Sequence, residues 1–127
     1  MAAFELPVDV DAVREALRRH GVVFAVLFGS RADGTAGPGS DIDIAVWGEA
    51  SMPQVWTIQA DMPAAVDLTD LRSAPDWLAG RASMSDLVLL DEDPAARVRW
   101  QADTRKRYLD EAFRRARHRS DFVAAHG

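Results

Sequence analysis

At 127 residues, 48% hydrophobic and 28% charged, the chain has the size and make-up of one folded unit around a single core, and one domain is expected over residues 1–127. The absence of cysteine excludes disulfides and thiolate metal sites. No apolar stretch approaches the about 20 residues of a membrane span. The formal net charge of −5 argues against broad nucleic-acid binding, which wants a basic surface.

The opening MAAFELPVDVDAVREALRR lacks a cationic start followed by a long apolar core, so no signal peptide is expected and the cytoplasm is the default compartment. Within it, Asp9 or Asp11 can cap a first helix that places Val10, Val13 and Leu17 at helical spacing and stops at Gly21. Val22–Phe28 is an apolar run that reads as the first strand. Gly29 and Ser30 follow it. Glycine lets the backbone turn tightly and approach a ligand. Ser30 fits a helix N-cap, where free N–H groups and the positive dipole end can receive a phosphate. Arg31 is read either as a further phosphate contact, through its guanidinium fork, or as a solvent-facing residue. Asp33–Ser40, with three glycines and a proline, is expected to be a mobile connection.

Asp41–Trp47, DIDIAVW, is the second strand. Alternation along a strand puts Asp41 and Asp43 on one face and Ile42 and Ile44 on the other, toward the core. Two neighbouring carboxylates repel and raise each other's pKa unless a cation sits between them. Mg²⁺ takes oxygen ligands, commonly one or two carboxylates with substrate phosphates and water, so a strand-borne Asp-x-Asp suits it.

Gly48–Ser51 is a turn and Pro53–Ala60 a short helix with Val55 and Ile58 inward, ended by Pro63. Ala64–Thr69 is the third strand. Residues 73–85 resist assignment: Pro75 can open a helical turn that Gly80 would end. Leu87–Leu90 is a short fourth strand. Asp93-Pro94 then starts a long helix to about Arg119, with Asp as cap and Pro in the first turn. Its apolar positions include Val98, Ala102, Leu109, Ala112, Phe113 and Ala116. Charge divides at this helix: residues 1–96 carry 6 basic and 16 acidic groups, and residues 97–127 carry 9 basic and 4 acidic groups. The basic tail is read as a solvated helix face, a protein-docking surface or, least in keeping with its few aromatics, an RNA contact. Trp56, Trp77 and Trp100 are read as packing residues, with Trp100 the alternative interface candidate because tryptophan is enriched at binding hot spots. Tyr108 is expected to pack at the helix base. His20, His118 and His126 are scattered at no ligand spacing and are expected at the surface.

Taken together, Gly29-Ser30, ten residues, then Asp41-x-Asp43 resembles the active-site signature of the nucleotidyltransferase superfamily with the DNA polymerase β-like fold. The wording LFGSRADG…SDIDIAV is most similar to its minimal nucleotidyltransferases, the MNT proteins. The segment VLLDEDPAARVRWQADTRKRYLDE is similar to the start of the C-terminal helix in MntA-type adenylyltransferase antitoxins, which pair with a HEPN-domain RNase toxin. The resemblance implies an α/β (α+β) fold: a small mixed sheet flanked by helices, with a long C-terminal helix. It also implies a third carboxylate on a neighbouring strand. Asp67, inside the apolar run of AAVDLTDL, matches that position best, and Asp70 is more in keeping with a turn or capping acid. The segment 48–63 is shorter than the corresponding helix of typical members, which bears on partner or nucleotide fit.

In family terms, an acceptor hydroxyl attacks the α-phosphate of a nucleoside triphosphate in line and pyrophosphate leaves. Two Mg²⁺ ions held by Asp41, Asp43 and Asp67 would stabilise the entering and leaving oxygens. Asp67 would also favour deprotonation of the acceptor, and Gly29 and Ser30, with Arg31 as a further candidate, would hold the phosphates. The implied acceptor is a tyrosine of the HEPN toxin and the implied donor ATP, in a hetero-oligomer with the toxin. Two other readings stand beside it: an antitoxin that neutralises by contact alone, and a nucleotidyltransferase for a small molecule such as an aminoglycoside-like hydroxyl. The intact carboxylates count against the former, and the missing substrate domain against the latter.

Overall fold

The computed structural model describes residues 5–126, without the side chains of Phe122, Ala125 and His126. The first four residues of the opening segment and the His126 side chain therefore lie outside the described residues. The element order is α1 (Val10–Arg19), β1 (Val22–Phe28), α2 (Ser30–Asp33), β2 (Ile42–Gly48), α3 (Val55–Gln59), β3 (Val66–Asp70), α4 (Asp76–Ser83), β4 (Val88–Asp91) and α5 (Pro94–His126). The four strands form one mixed sheet in the order β3-β2-β1-β4. β1 is antiparallel to both β2 and β4, and β2 and β3 run parallel.

Each face of the sheet carries its own core. On one face Ala25 and Leu27 of β1 join Ile42, Ile44 and Val46 of β2, covered by Val13 and Leu17 of α1 and by Ile58 of α3. On the other, Phe24, Val26, Phe28 and Ala45 pack with Leu71 and Ala82, flanked by Leu78, Ala79 and Trp100 of α4 and α5. The strict alternation from Ile42 to Ile44 thus turns Asp43 to the α4/α5 side. Asp9 caps α1, accepting a hydrogen bond from the Ala12 amide at 3.1 Å. Asp93 does the same for α5 through the Ala96 amide at 3.1 Å.

The helices depart from expectation in three places. Gly80 does not end a turn; it lies inside α4, buried, where a Cβ would collide with the Tyr108 ring. Glycine there permits two helices to meet face to face. α5 buries a different stripe from the apolar one. Gln101 and Thr104 are buried, with Arg97, Trp100, Arg105 and Tyr108 half-buried beside them, whereas Val98, Leu109 and Phe113 face solvent, Phe113 at 67% exposure. Polar demand chose this face. The end of α4 offers carbonyls without intrahelical partners, and Arg105 donates to Ser83 O while Gln101 donates to Ser85 O at 2.8 Å. α5 also continues past Arg119 to His126, 33 residues in all and about 50 Å long.

The aromatic assignments change accordingly. Trp100 is no surface hot spot. It sits 5.5 Å from the Phe24 ring, which itself stacks on Trp47 at 5.2 Å and 9°. Trp56 and Trp77, read as packing residues, are 73% and 55% exposed. His20 is drawn in from the surface, its Nε2 2.5 Å from Asp61 Oδ2, a partner 41 residues away that sequence spacing does not disclose.

Candidate active site

The site forms where β1 ends and β2 and β3 run side by side. Asp43 is half-buried in β2, and parallel pairing sets it directly opposite Asp67 of β3. Both carboxylates therefore share one face. Asp67 is exposed, while its neighbours are pinned: Gln59 of α3 donates to Val66 O at 2.7 Å and accepts from the Leu68 amide at 2.9 Å. That amide side chain satisfies the outer edge of β3 on both sides of Asp67. Asp41 lies one residue before β2 and is exposed. Asp70, at the end of β3, is engaged elsewhere. Arg72 grips its carboxylate at 2.8 and 3.0 Å and reaches on to the carbonyls of Glu49 and Met52. This keeps the Asp70 carboxyl below its ordinary range and makes it a turn-closing acid, as its position suggests.

Gly29 shapes the wall beside Asp43. Its φ of +76° lies in the left-handed region, and a Cβ would stand 2.5 Å from Asp43 Oδ2. A close approach of backbone to carboxylate is thus possible only with glycine. Ser30 differs from expectation: it is the first helical residue and Gly29 occupies the cap position, with no side-chain cap bond. α2 is a single turn of four residues, too short to build the macrodipole of a longer helix. Any phosphate contact there rests on local backbone amides and the Ser30 hydroxyl. Arg31 is half-buried rather than solvent-facing. Its Nη2 donates to Ser40 O at 3.0 Å, drawing the glycine-rich loop onto α2, and its Nε is buried without a partner.

The electrostatics mark Asp43. Burial raises its pKa first, and the charges of Asp67 and Asp41 raise it further, while Arg81 of α4 opposes them. Such a carboxylate gains from a nearby cation. An all-oxygen donor set suits Mg²⁺, which completes its shell with phosphates and water. Among the described residues no three His, Asp or Glu side chains already close around a common point.

A cavity of about 450 Å³ adjoins Gly29, lined by Phe28, Ala32, Arg81, Ser85 and Tyr108 among others. Neither Arg81 nor Gln59 stands out in the sequence. Arg81 belongs to the segment that resisted assignment. A count of the few basic residues in the acidic body is the signal that points to it.

A mixed sheet whose second strand presents an acid beside a glycine turn, with a third acid in register on the next strand, is the architecture of a nucleotidyltransferase. The chain belongs to the family described as "Polymerase beta, Nucleotidyltransferase", whose profile matches residues 11–95. No curated protein matches it. Among solved structures it is similar to a crystal structure of a toxin-antitoxin with AMP-PNP, at 25% identity over 91% of this chain and 99% of that one, TM-score 0.71. It is also similar to the toxin-antitoxin MntA-HepT, at 24% identity over 90% and 96%, TM-score 0.64. A third similar structure is a tri-AMPylated Shewanella oneidensis HEPN toxin in complex with MNT antitoxin, at 24% identity over 90% and 95%, TM-score 0.64. The latter two speak for the fold. No described helix is long and apolar enough to cross a membrane.

Proposed function

We propose that this chain is an antitoxin protein adenylyltransferase, one minimal domain over residues 1–127, acting in the cytoplasm on a cognate HEPN RNase toxin. It transfers AMP from ATP to a tyrosine hydroxyl of that toxin. The observation that carries the reading is the in-register pairing of Asp43 with Asp67, backed by Gly29. The similarity to a toxin-antitoxin with AMP-PNP along nearly the whole of both chains supports the donor and the partner.

The acceptor oxygen bonds to the α-phosphorus, the bond from that phosphorus to the bridging oxygen breaks, and pyrophosphate leaves with the electron pair. Two Mg²⁺ ions, when bound, neutralise the phosphate charge and favour ionisation of the acceptor. Asp41, Asp43 and Asp67 would hold them, and Asp67 would also draw the proton of the entering hydroxyl away. Gly29 keeps the Asp43 carboxylate uncovered, and Gly29 and Ser30 offer amide and hydroxyl donors to the phosphates, with Arg31 anchoring the loop behind them. AMP on a tyrosine beside the RNase site adds bulk and negative charge, which block that site.

Intact-mass spectrometry of a co-expressed HEPN partner with this chain, ATP and Mg²⁺ tests the reading. An AMP-sized adduct on the partner is expected, absent with the Asp41→Asn, Asp43→Asn double variant. Neutralisation of the toxin by both forms without an adduct leaves an antitoxin that works by contact alone.

A further inference from the structure

β3 lies at the end of the sheet, yet one of its residues is held from both sides. Toward β2, the Ala65 carbonyl accepts from the Ile42 amide at 2.8 Å, and the register sets Asp67 against Asp43. On the outer side no strand follows among the described residues, and Gln59 of α3 takes the place of one. Its side-chain amide donates to Val66 O at 2.7 Å and accepts from the Leu68 amide at 2.9 Å. Those two groups flank Asp67, so the amide braces that residue as a neighbouring strand would. An edge strand can leave such groups to water, and Gln59 gives them a fixed partner instead.

The Asp67 carboxylate has no comparable hold of its own. Among the described residues its side chain makes no hydrogen bond or ion pair. Arg72, by contrast, grips the Asp70 carboxylate directly at 2.8 and 3.0 Å. The place of Asp67 is therefore set through the backbone, by β2 on one side and Gln59 on the other. Gln59 is itself anchored. Ile58 beside it is fully buried in the core. Asp61, two residues on, meets His20 Nε2 at 2.5 Å and Arg19 at 3.7 Å, at the end of α1. Among the described residues, Gln59 is the one member of α3 whose side chain hydrogen-bonds to the sheet.

We propose that Gln59 is a positioning residue for the transfer step, its side-chain amide fixing the β3 backbone at Asp67 so that the Asp67 carboxylate stays in register with Asp43. This rests on the nucleotidyl-transfer reading above, in which the two carboxylates act together. Reacting groups must be held close to their productive geometry, and a group that cannot be steadied by its own side-chain partners is steadied by the element that carries it. Gln59 acts only through Asp67, so it contributes to the rate of transfer and not to the affinity for ATP. It exchanges no proton and forms no bond in the reaction.

The test is AMP transfer by the full chain to its HEPN partner, beside amide hydrogen exchange of the chain alone. Gln59→Met keeps the length of the side chain and removes both hydrogen bonds. In this variant the Leu68 amide should exchange about tenfold faster than in the wild type. kcat should fall about tenfold with the KM for ATP unchanged, since a misplacement of about 1 Å costs about a hundredfold and a loosened strand moves less. Calorimetric titration with ATP and Mg²⁺ counts the folded, nucleotide-competent molecules, and an unchanged stoichiometry separates the loss of rate from a folding defect. Gln59→Asn, too short to span both groups, should fall between wild type and Gln59→Met, and it carries the same test where the methionine variant does not fold. An unchanged Leu68 exchange rate overturns the proposal. So does an unchanged kcat per competent molecule with Asp67→Asn inactive, or a loss that lies in the KM for ATP, and each leaves the transferase reading standing. A folded wild type that transfers no AMP overturns both.

Discussion

The surroundings of Asp43 and the seam between α4 and α5 are built on opposite principles. Around Asp43, which is held partly out of water, the charges of Asp67 and Asp41 act on its carboxylate, so the fold stores repulsion there. At the seam, donors meet acceptors, Arg105 the carbonyl of Ser83, Gln101 that of Ser85 and Ser83 Oγ the carbonyl of Gly80, with the buried Thr104 hydroxyl the exception. A site that must accept a cation and a polyphosphate is left electrostatically incomplete by the chain alone. The neighbouring frame is satisfied at all of these carbonyls. Substitutions at the two regions should therefore have opposite signatures, activity without stability at the first and stability before activity at the second.

The largest effect is expected at Gly29. Alanine there demands a strained backbone and pushes a methyl group into Asp43 Oδ2. Gly29→Ala should cut AMP transfer by about a thousandfold, since a misplacement of about 1 Å in a reacting group already costs about a hundredfold. Single-turnover transfer measured beside circular dichroism checks it. A folded variant with near-normal transfer would remove the close approach as a requirement of the site.

Asp43→Asn should abolish transfer and yet raise the melting temperature at neutral pH in the absence of metal. The sign follows from protonation. The raised pKa of Asp43 means the folded chain holds this proton more tightly than the unfolded chain. Stability is full below the unfolded value of about 4 and is lost as pH rises through the folded one. Asparagine carries no such loss, so the gain should vanish in acid. Mg²⁺ should narrow the gap by stabilising the wild type. Melting curves between acid and neutral pH decide it: a variant less stable than wild type at neutral pH would mean that Asp43 is structurally satisfied.

The seam should respond in the other way. Gly80→Ala forces the Tyr108 ring aside and should destabilise by about 1–3 kcal/mol, the usual range for overpacking. Gln101→Ala removes the shorter of two hydrogen bonds to Ser85 O, leaving that from Arg105 Nη2 at 3.4 Å, and should cost about 0.5–1.5 kcal/mol. Urea unfolding measures both. Transfer by the folded fraction should fall little in either.

These contrasts explain what the sequence disclosed. β1 was legible to the residue, Val22–Phe28, because an uninterrupted apolar run bounded by two glycines admits few other readings. Alternation offered a shared face for Asp41 and Asp43, whereas Asp67 entered only through the family resemblance, and its pairing with Asp43 depends on a parallel register that one strand's pattern does not contain. α4 was not legible, because the glycine that breaks a helix in isolation is tolerated where a tyrosine packs on it. Arg81 went unseen with it. The buried face of α5 was misread for a related reason. Hydrophobicity favoured Val98, Leu109 and Phe113, while the fold turned Gln101 and Arg105 inward to the carbonyls of Ser83 and Ser85, and Thr104 is buried beside them without a partner. A pattern based on apolar spacing has no means of registering a polar debt in another element.

The distal half of α5 supplies the smallest expected effect and the cleanest control. From Leu109 onward its described side chains are largely exposed, and short-range pairs such as Lys106–Asp110 at 3.1 Å and Arg114–Glu111 at 3.3 Å accompany the helix there. Pairs of this kind stabilise a helix by only about 0.2–0.5 kcal/mol each. Phe113, although large, already stands in water at 67% exposure. Phe113→Ser should therefore change the unfolding free energy of the isolated chain by no more than about 0.5 kcal/mol. A loss several times larger in urea unfolding would mean that Phe113 is covered in solution, and the two halves of α5 would then both belong to the folded frame. A null result places the whole stabilising contribution of α5 in its first half, where Trp100, Gln101, Thr104 and Tyr108 meet the body.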